Sequence, residues 1–357
     1  MIPPPPLSRR AAFARLGFAA GSLLGLLRSV SRPALAAEIA PAVPSTDSPP
    51  TPTPTPTPNP TPPPPPAVGA ESATAASGAT PEGTCGVPPA PGAPRVRRGY
   101  VNGLFGQVHY RLVDGASQRR PLLLMHPSPL SSEVFELFMP EIGRDRIVLA
   151  PDTPGYGLSD PPAAPPSIAD YARAMHALTR SVGWGKFDVL GYHTGSNTAL
   201  AMAHQEPGRI GHVMLIGASL WNPDELATMR RQLAVRPVGE RPALLARRWP
   251  VFRQQAWRMV CGDARALNIL LESHRNADRS QWGFLASLDF PLEERLRECR
   301  QPLLVFAPED DLWDYSRRAE GMVRNGRVQE LPGWTHGFLD LKAAEVAGMV
   351  RRFTATG

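Results

Sequence analysis

The sequence predicts a three-layer α/β domain with a mostly parallel sheet and an inserted helical cap, and three observations carry that expectation. From Val96 onward, short β-rich runs alternate with helix-patterned ones. The central β-rich runs are nearly continuous in Val, Leu and Ile, the mark of strands buried on both faces by helices. From about Leu220 to Glu298 the alternation stops and the pattern is helical, too long an interval for a structureless loop inside a compact domain.

Taken in order, strands are expected at "GYVNG" and "FGQVHYRLV", then at Pro121 to His126, Arg146 to Asp152, Phe187 to Tyr192, His212 to Ala218, Pro302 to Glu309 and Arg327 to Gly333. Helices are expected at "SSEVFELFMPEI", "SIADYARAMHALTRSV", "SNTALAMAHQ", "SRRAEGMVR" and "AAEVAGMVRRF". Strands and helices in alternation pack as a sheet covered on both sides. The insertion carries Trp221, Trp249, Trp257 and Trp282. These are expected to form its own core, one or two of them lining an apolar pocket between cap and sheet.

Ahead of this domain the chain reads differently. Residues 1–36 hold five arginines and no acid, an apolar run from Gly17 to Leu27, and a small-x-small site at Ala34, Leu35 and Ala36. With "SRR" at Ser8 to Arg10 and Phe13 following, the segment resembles a twin-arginine export signal. The expected location is outside the cytoplasm; an uncleaved anchor or an organelle transit peptide are the alternatives. Residues 37–95 include "TPTPTPTPNPTPPPPP" and are expected to form a disordered, polyproline-like linker, with too little apolar surface to offset chain ordering. The folded domain then occupies residues 96–357, with the cap at about 220–298.

Removing the first 36 residues lowers the formal charge from +6 to +1. Only two lysines occur, and the arginines are interspersed with acids, so nucleic acid is not an expected partner. No stable membrane insertion is expected once a signal is cleaved. Of the three cysteines, Cys85 lies in the linker, while Cys261 and Cys299 either pair with each other or remain buried thiols.

Five motifs fall in order at expected strand ends: "LLLMHPSPLSS", "LAPDTPGYGLSD", "VLGYHTGSNTALA", "FAPEDDLWD" and "LPGWTHGFLD". Together they resemble the α/β-hydrolase fold superfamily over Val96 to Phe353, and most closely its capped group of haloalkane dehalogenases, epoxide hydrolases and esterases. The resemblance implies a nucleophile elbow at "GYHTG", where Gly191 and Gly195 let strand and helix approach without a Cβ between them. It also implies that His193 stands where relatives carry Ser, Cys or Asp. His336 matches the triad histidine, and Asp310 matches the triad acid, with Asp311 as the alternative. The backbone N–H groups of Ser128 and Thr194 match the oxyanion hole.

What the resemblance implies about activity follows from those residues. An imidazole is a competent general base near neutral pH, or a direct nucleophile giving a labile acyl-imidazole. The expected function is hydrolysis of a small, fairly apolar ester or related carbonyl substrate. Lyase or isomerase chemistry through the same base and oxyanion hole, and a non-catalytic ligand-binding module, are the alternatives. No cofactor is expected; a metal held by His193, His336 and Asp310 or Asp311 is the remaining reading, since two histidines and a carboxylate suit zinc or iron.

Overall fold

The computed structural model describes residues 94–116, 118–233, 249–250 and 252–355. The expected signal segment, nearly all of the linker and Cys85 lie outside the described residues, as does part of the cap.

All eight expected strands form one sheet. They are β1 (Arg97–Gly103), β2 (Gly106–Val113), β3 (Leu122–Met125), β4 (Val148–Pro151), β5 (Phe187–Tyr192), β6 (Ile210–Ile216), β7 (Leu303–Pro308) and β8 (Gly326–Leu331). Their spatial order is β1-β2-β4-β3-β5-β6-β7-β8. The β1–β2 and β2–β4 pairs are antiparallel, and every pair from β4 to β8 is parallel.

The continuous apolar runs work because successive side chains enter opposite cores. Leu122 and Leu124 of β3, with Leu190 and Tyr192 of β5, join Phe353, Val350 and Phe338 on one face. Leu123, Met125 and Val189 join Tyr171, Met175 and Leu200 on the other. The second face is covered by α1 (Ile168–Ser181) and α2 (Thr194–Gln205). Helix α1 begins at a capping box, in which Ser167 and Asp170 satisfy each other's backbone N–H groups.

Two expected helices are shorter than the pattern suggested. Over "SSEVFELFMPEI" the chain makes a 3₁₀ turn at Ser132–Phe135 and one helical turn at Met139–Ile142. Pro140 lies in the first positions of the second turn, where its missing N–H suits a helix start but cannot carry a ladder on from the first. After "LWDYSR" the backbone tightens into i→i+3 bonds, such as Ala319 N–H to Ser316 and Met322 N–H to Ala319, instead of continuing as a helix to Arg324.

Between β6 and β7 the described residues form helices and turns, as expected of the insertion. The helices are α3 (Pro223–Gln232), α4 (Gly262–Arg275), α5 (Trp282–Leu288) and α6 (Leu292–Glu298). Its tryptophans do not share one cap core. Trp221 packs beside a small cluster of Met229, Leu233 and Leu288, and 3.9 Å from the Tyr315 ring. Trp249 and Trp257 join the main core beneath the sheet, and Trp282 lies against Gly155. The insertion is therefore folded onto the domain. Cys299 carries a free, buried thiol, so the Cys261–Cys299 pair does not form. Burial pushes that thiol up to about 11. Among the described residues no helix is long and apolar enough to cross a membrane.

Candidate active site

The loops at the C-terminal ends of β3, β5, β7 and β8 bring the sequence-predicted residues together, the usual place for ligand sites in open parallel sheets. His193 closes β5 and is the N-cap of α2. Its backbone, at φ 49° and ψ −109°, is the only non-glycine residue at positive φ among those described. Such a conformation costs on the order of 1–3 kcal/mol and persists only where its surroundings hold it.

Those surroundings are specific. His193 N–H donates to Ile216 at 2.8 Å, and Ser196 N–H donates to His193 at 2.8 Å. The Ser196 hydroxyl faces the carbonyls of Gly191 and Ile216 at 3.0 and 3.1 Å, which removes it as a nucleophile. A Cβ on Gly191 would lie 2.1 Å from the Gly195 carbonyl oxygen, and one on Gly195 2.2 Å from that of Met125. The elbow geometry thus accounts for both glycines.

The acid and the second histidine are partnered differently from the expectation. Asp310, expected to serve His336, accepts instead from His193 Nε2 at 2.9 Å and lies 3.9 Å from His336 Nδ1. Asp311, the alternative acid, is the carboxylate beside His336, with Oδ1 2.8 Å from Nε2. The reason is the elbow: the imidazole at position 193 reaches farther than a serine hydroxyl and takes the Asp310 oxygen itself. Two histidine–carboxylate pairs result, with ring centroids 5.4 Å apart. The four side chains are at most 8% exposed.

Burial opposes protonation of His336, but Asp311 and then Asp310 outweigh it and raise its pKa. Burial likewise pushes Asp311 up, and His336 and His193 pull it below the ordinary carboxylate value. Both shifts favour an imidazolium–carboxylate pair.

The two residues expected to supply oxyanion N–H groups, Ser128 and Thr194, are in contact with each other. Ser128, on the loop after β3, donates its backbone N–H to Thr194 Oγ1 at 2.6 Å, and that hydroxyl faces Ser128 Oγ at 3.1 Å. The loop is steadied by His126, held neutral by burial, whose Nε2 accepts the Thr153 N–H at 2.9 Å. Thr194 opens α2, where a helix leaves backbone N–H groups without intrahelical partners.

Sequence reasoning missed Tyr192 and Gly217, and named Trp257 only as one of four tryptophans of which one or two would line a pocket. Tyr192 places its hydroxyl 3.2 Å from His336 Nδ1. Trp257 stacks on the His336 ring at 5.1 Å and 17°, so an aromatic of the insertion does reach the site. Gly217 has φ +76°, and a Cβ there would meet His193 Cδ2 at 2.6 Å. The visible signal for Gly217 was a glycine directly after an apolar strand; nothing in one sequence pairs it with position 193.

Comparison with known proteins agrees with this fold. A family model described as the alpha/beta hydrolase fold matches residues 120–241. The chain is 27% identical over 128 residues to 2-hydroxy-6-oxononadienedioate/2-hydroxy-6-oxononatrienedioate hydrolase 1 of Dechloromonas aromatica, covering 34% of this chain and 44% of that protein. It is 32% identical over 107 residues to 2-hydroxymuconate semialdehyde hydrolase of Pseudomonas sp. strain CF600, covering 28% and 36%. The match thus spans less than half the length of either relative. Among solved structures, a thermophilic esterase from Thermogutta terrifontis superimposes with a TM-score of 0.58 at 18% identity, over 72% of this chain and 98% of the other. Matched motifs, sheet order and structural neighbours converge on one architecture, and the chain adopts the α/β-hydrolase fold.

Proposed function

We propose that the chain is a hydrolase of a small, fairly apolar carbonyl compound in which paired histidines replace the serine nucleophile. The observation that carries this reading is the 2.9 Å contact of His193 Nε2 with the buried Asp310 carboxylate. A carboxylate that accepts from Nε2–H leaves the Nδ1 lone pair free, so His193 is oriented as a general base. A water molecule then attacks the substrate carbonyl carbon while its proton passes to Nδ1. The oxyanion that forms is stabilised by the Thr194 N–H, and by that of Ser128 once Thr194 Oγ1 turns away. Protonated His193 returns its proton to the leaving group, and the charged His336–Asp311 pair sets the local field. Relatives named as hydrolases of oxo acids support a carbonyl substrate.

A second reading, a ligand-binding module without turnover, draws on one observation: the Ser128 N–H is already satisfied by Thr194 Oγ1 at 2.6 Å. A panel of aryl esters and unsaturated oxo acids separates the two. Hydrolysis whose kcat falls roughly 10²–10⁴-fold in Asp310→Asn, with KM little changed, supports the enzyme. Ligand binding indifferent to Asp310→Asn, with no turnover of any compound, supports the module. Export through a twin-arginine-like signal remains part of the proposal on the strength of residues 1–36 alone.

A further inference from the structure

We propose that His193, Asp310, Asp311 and His336 form a binding site for one zinc-class divalent cation. The donor atoms of these four residues all lie within 4.8 Å of one another, and their side chains are 0–8% exposed. A protonated His336 offsets only one of the two carboxylates, so the cluster has room for a counter-ion. Two carboxylates adjacent in sequence are buried together, and among the described residues neither pairs with a lysine or arginine; their ion-pair partners are imidazoles only. A dication with two neutral imidazoles and two carboxylates is a neutral assembly, which lowers the cost of burying the acids.

A second observation points the same way. Asp311 Oδ1 and His336 Nε2 are both buried without a hydrogen-bond partner although they are 2.8 Å apart. The contact has the distance of a hydrogen bond but does not satisfy the geometry of one. Ligands on one ion with bonds of about 2.0–2.2 Å sit roughly 3 Å apart with no line between them required. The pair His193 Nε2 and Asp310 Oδ2, at 2.9 Å, has the same spacing.

The widest separation must close by about 1.5 Å to reach a tetrahedral edge, given such bond lengths. The donor set selects among ions: two imidazoles suit zinc, whereas magnesium and calcium take oxygen-rich shells. The site uses the residues of the proposed hydrolase, and only its consequence for turnover rests on that reading. An ion held by His193 Nε2 and Asp310 leaves Nδ1 protonated and removes the general base, so zinc inhibits.

The test is zinc binding by the full chain after chelator treatment, in competition with a chromophoric chelator, with cobalt absorption as a second readout. One ion per chain is expected, with a raised unfolding midpoint. Affinity should fall about tenfold or more in Asp311→Asn and in His336→Gln, each checked for metal-free folding by circular dichroism. No stoichiometric binding, or binding equal in wild type and both variants, overturns the site. Turnover in chelator without any zinc binding removes the site and leaves the hydrolase; zinc binding without turnover of any substrate keeps the site and removes the hydrolase.

Discussion

Nε2 of His193 lies 2.9 Å from Oδ2 of Asp310, while His336, the residue expected to take that carboxylate, keeps its Nδ1 3.9 Å from the same oxygen. The histidine at the elbow holds the carboxylate that was expected to serve His336. The elbow residue itself carries an imidazole in place of a hydroxyl.

The first prediction follows from that exchange. Fluorophosphonate probes should leave the wild-type chain unlabelled, since Ser196 is committed to two carbonyls. His193→Ser removes the ring that holds Asp310 and lets the carboxylate turn to His336, so this variant should become labelled. Adding Asp310→Asn should suppress the new labelling. Mass spectrometry of the labelled peptide checks it, and a modified wild-type serine would refute the assignment of position 193.

Gly217 offers an independent handle on the same ring. A methyl group there would sit 2.6 Å from His193 Cδ2, on a backbone at φ +76°. Gly217→Ala should therefore cost about 1–3 kcal/mol in denaturant unfolding and depress kcat together with stability. Unchanged stability and activity would mean that the His193 ring is not packed against β6.

The acid sensitivity of the fold should be traceable to Asp152. Burial alone would raise this carboxyl, but His109 at 2.8 Å, His126, Ser132 and the Leu158 N–H bring it down to about 2 from an ordinary 3.8. A carboxyl depressed in the folded state stabilises fully above its unfolded pKa and loses that contribution as pH falls through the folded one. About 2 kcal/mol should thus disappear between roughly pH 4 and pH 2. Asp152→Asn should be less stable at neutral pH and lack this part of the acid limb. Parallel pH–stability curves for the two proteins would contradict it.

Much of the fold is legible in the chain because local patterns dictate it. The buried strands declare themselves through runs such as "PLLLMH" and "PLLVFAPE", whose side chains enter two cores in alternation. The helix content around Pro140 and after Arg317 was overestimated, since apolar spacing does not show where hydrogen-bond ladders stop. The tryptophans of the insertion misled for a related reason: composition shows that they are buried, not against what. Trp257 could be placed on His336 only by a three-dimensional return of the insertion to the sheet.

By itself the sequence determined the architecture, the elbow and the identities of the residues at the strand ends. Gly191 is demanded by the carbonyl of Gly195 on the same elbow, and strand burial is written in side-chain type. The tertiary structure alone decided the pairing. Asp310 and Asp311 are neighbours in the chain with the same chemistry, and which imidazole each one meets depends on how far a side chain reaches from three separate loops. A histidine reaches farther than a serine from the same strained backbone, and that added reach hands Asp310 to His193 and leaves Asp311 to His336.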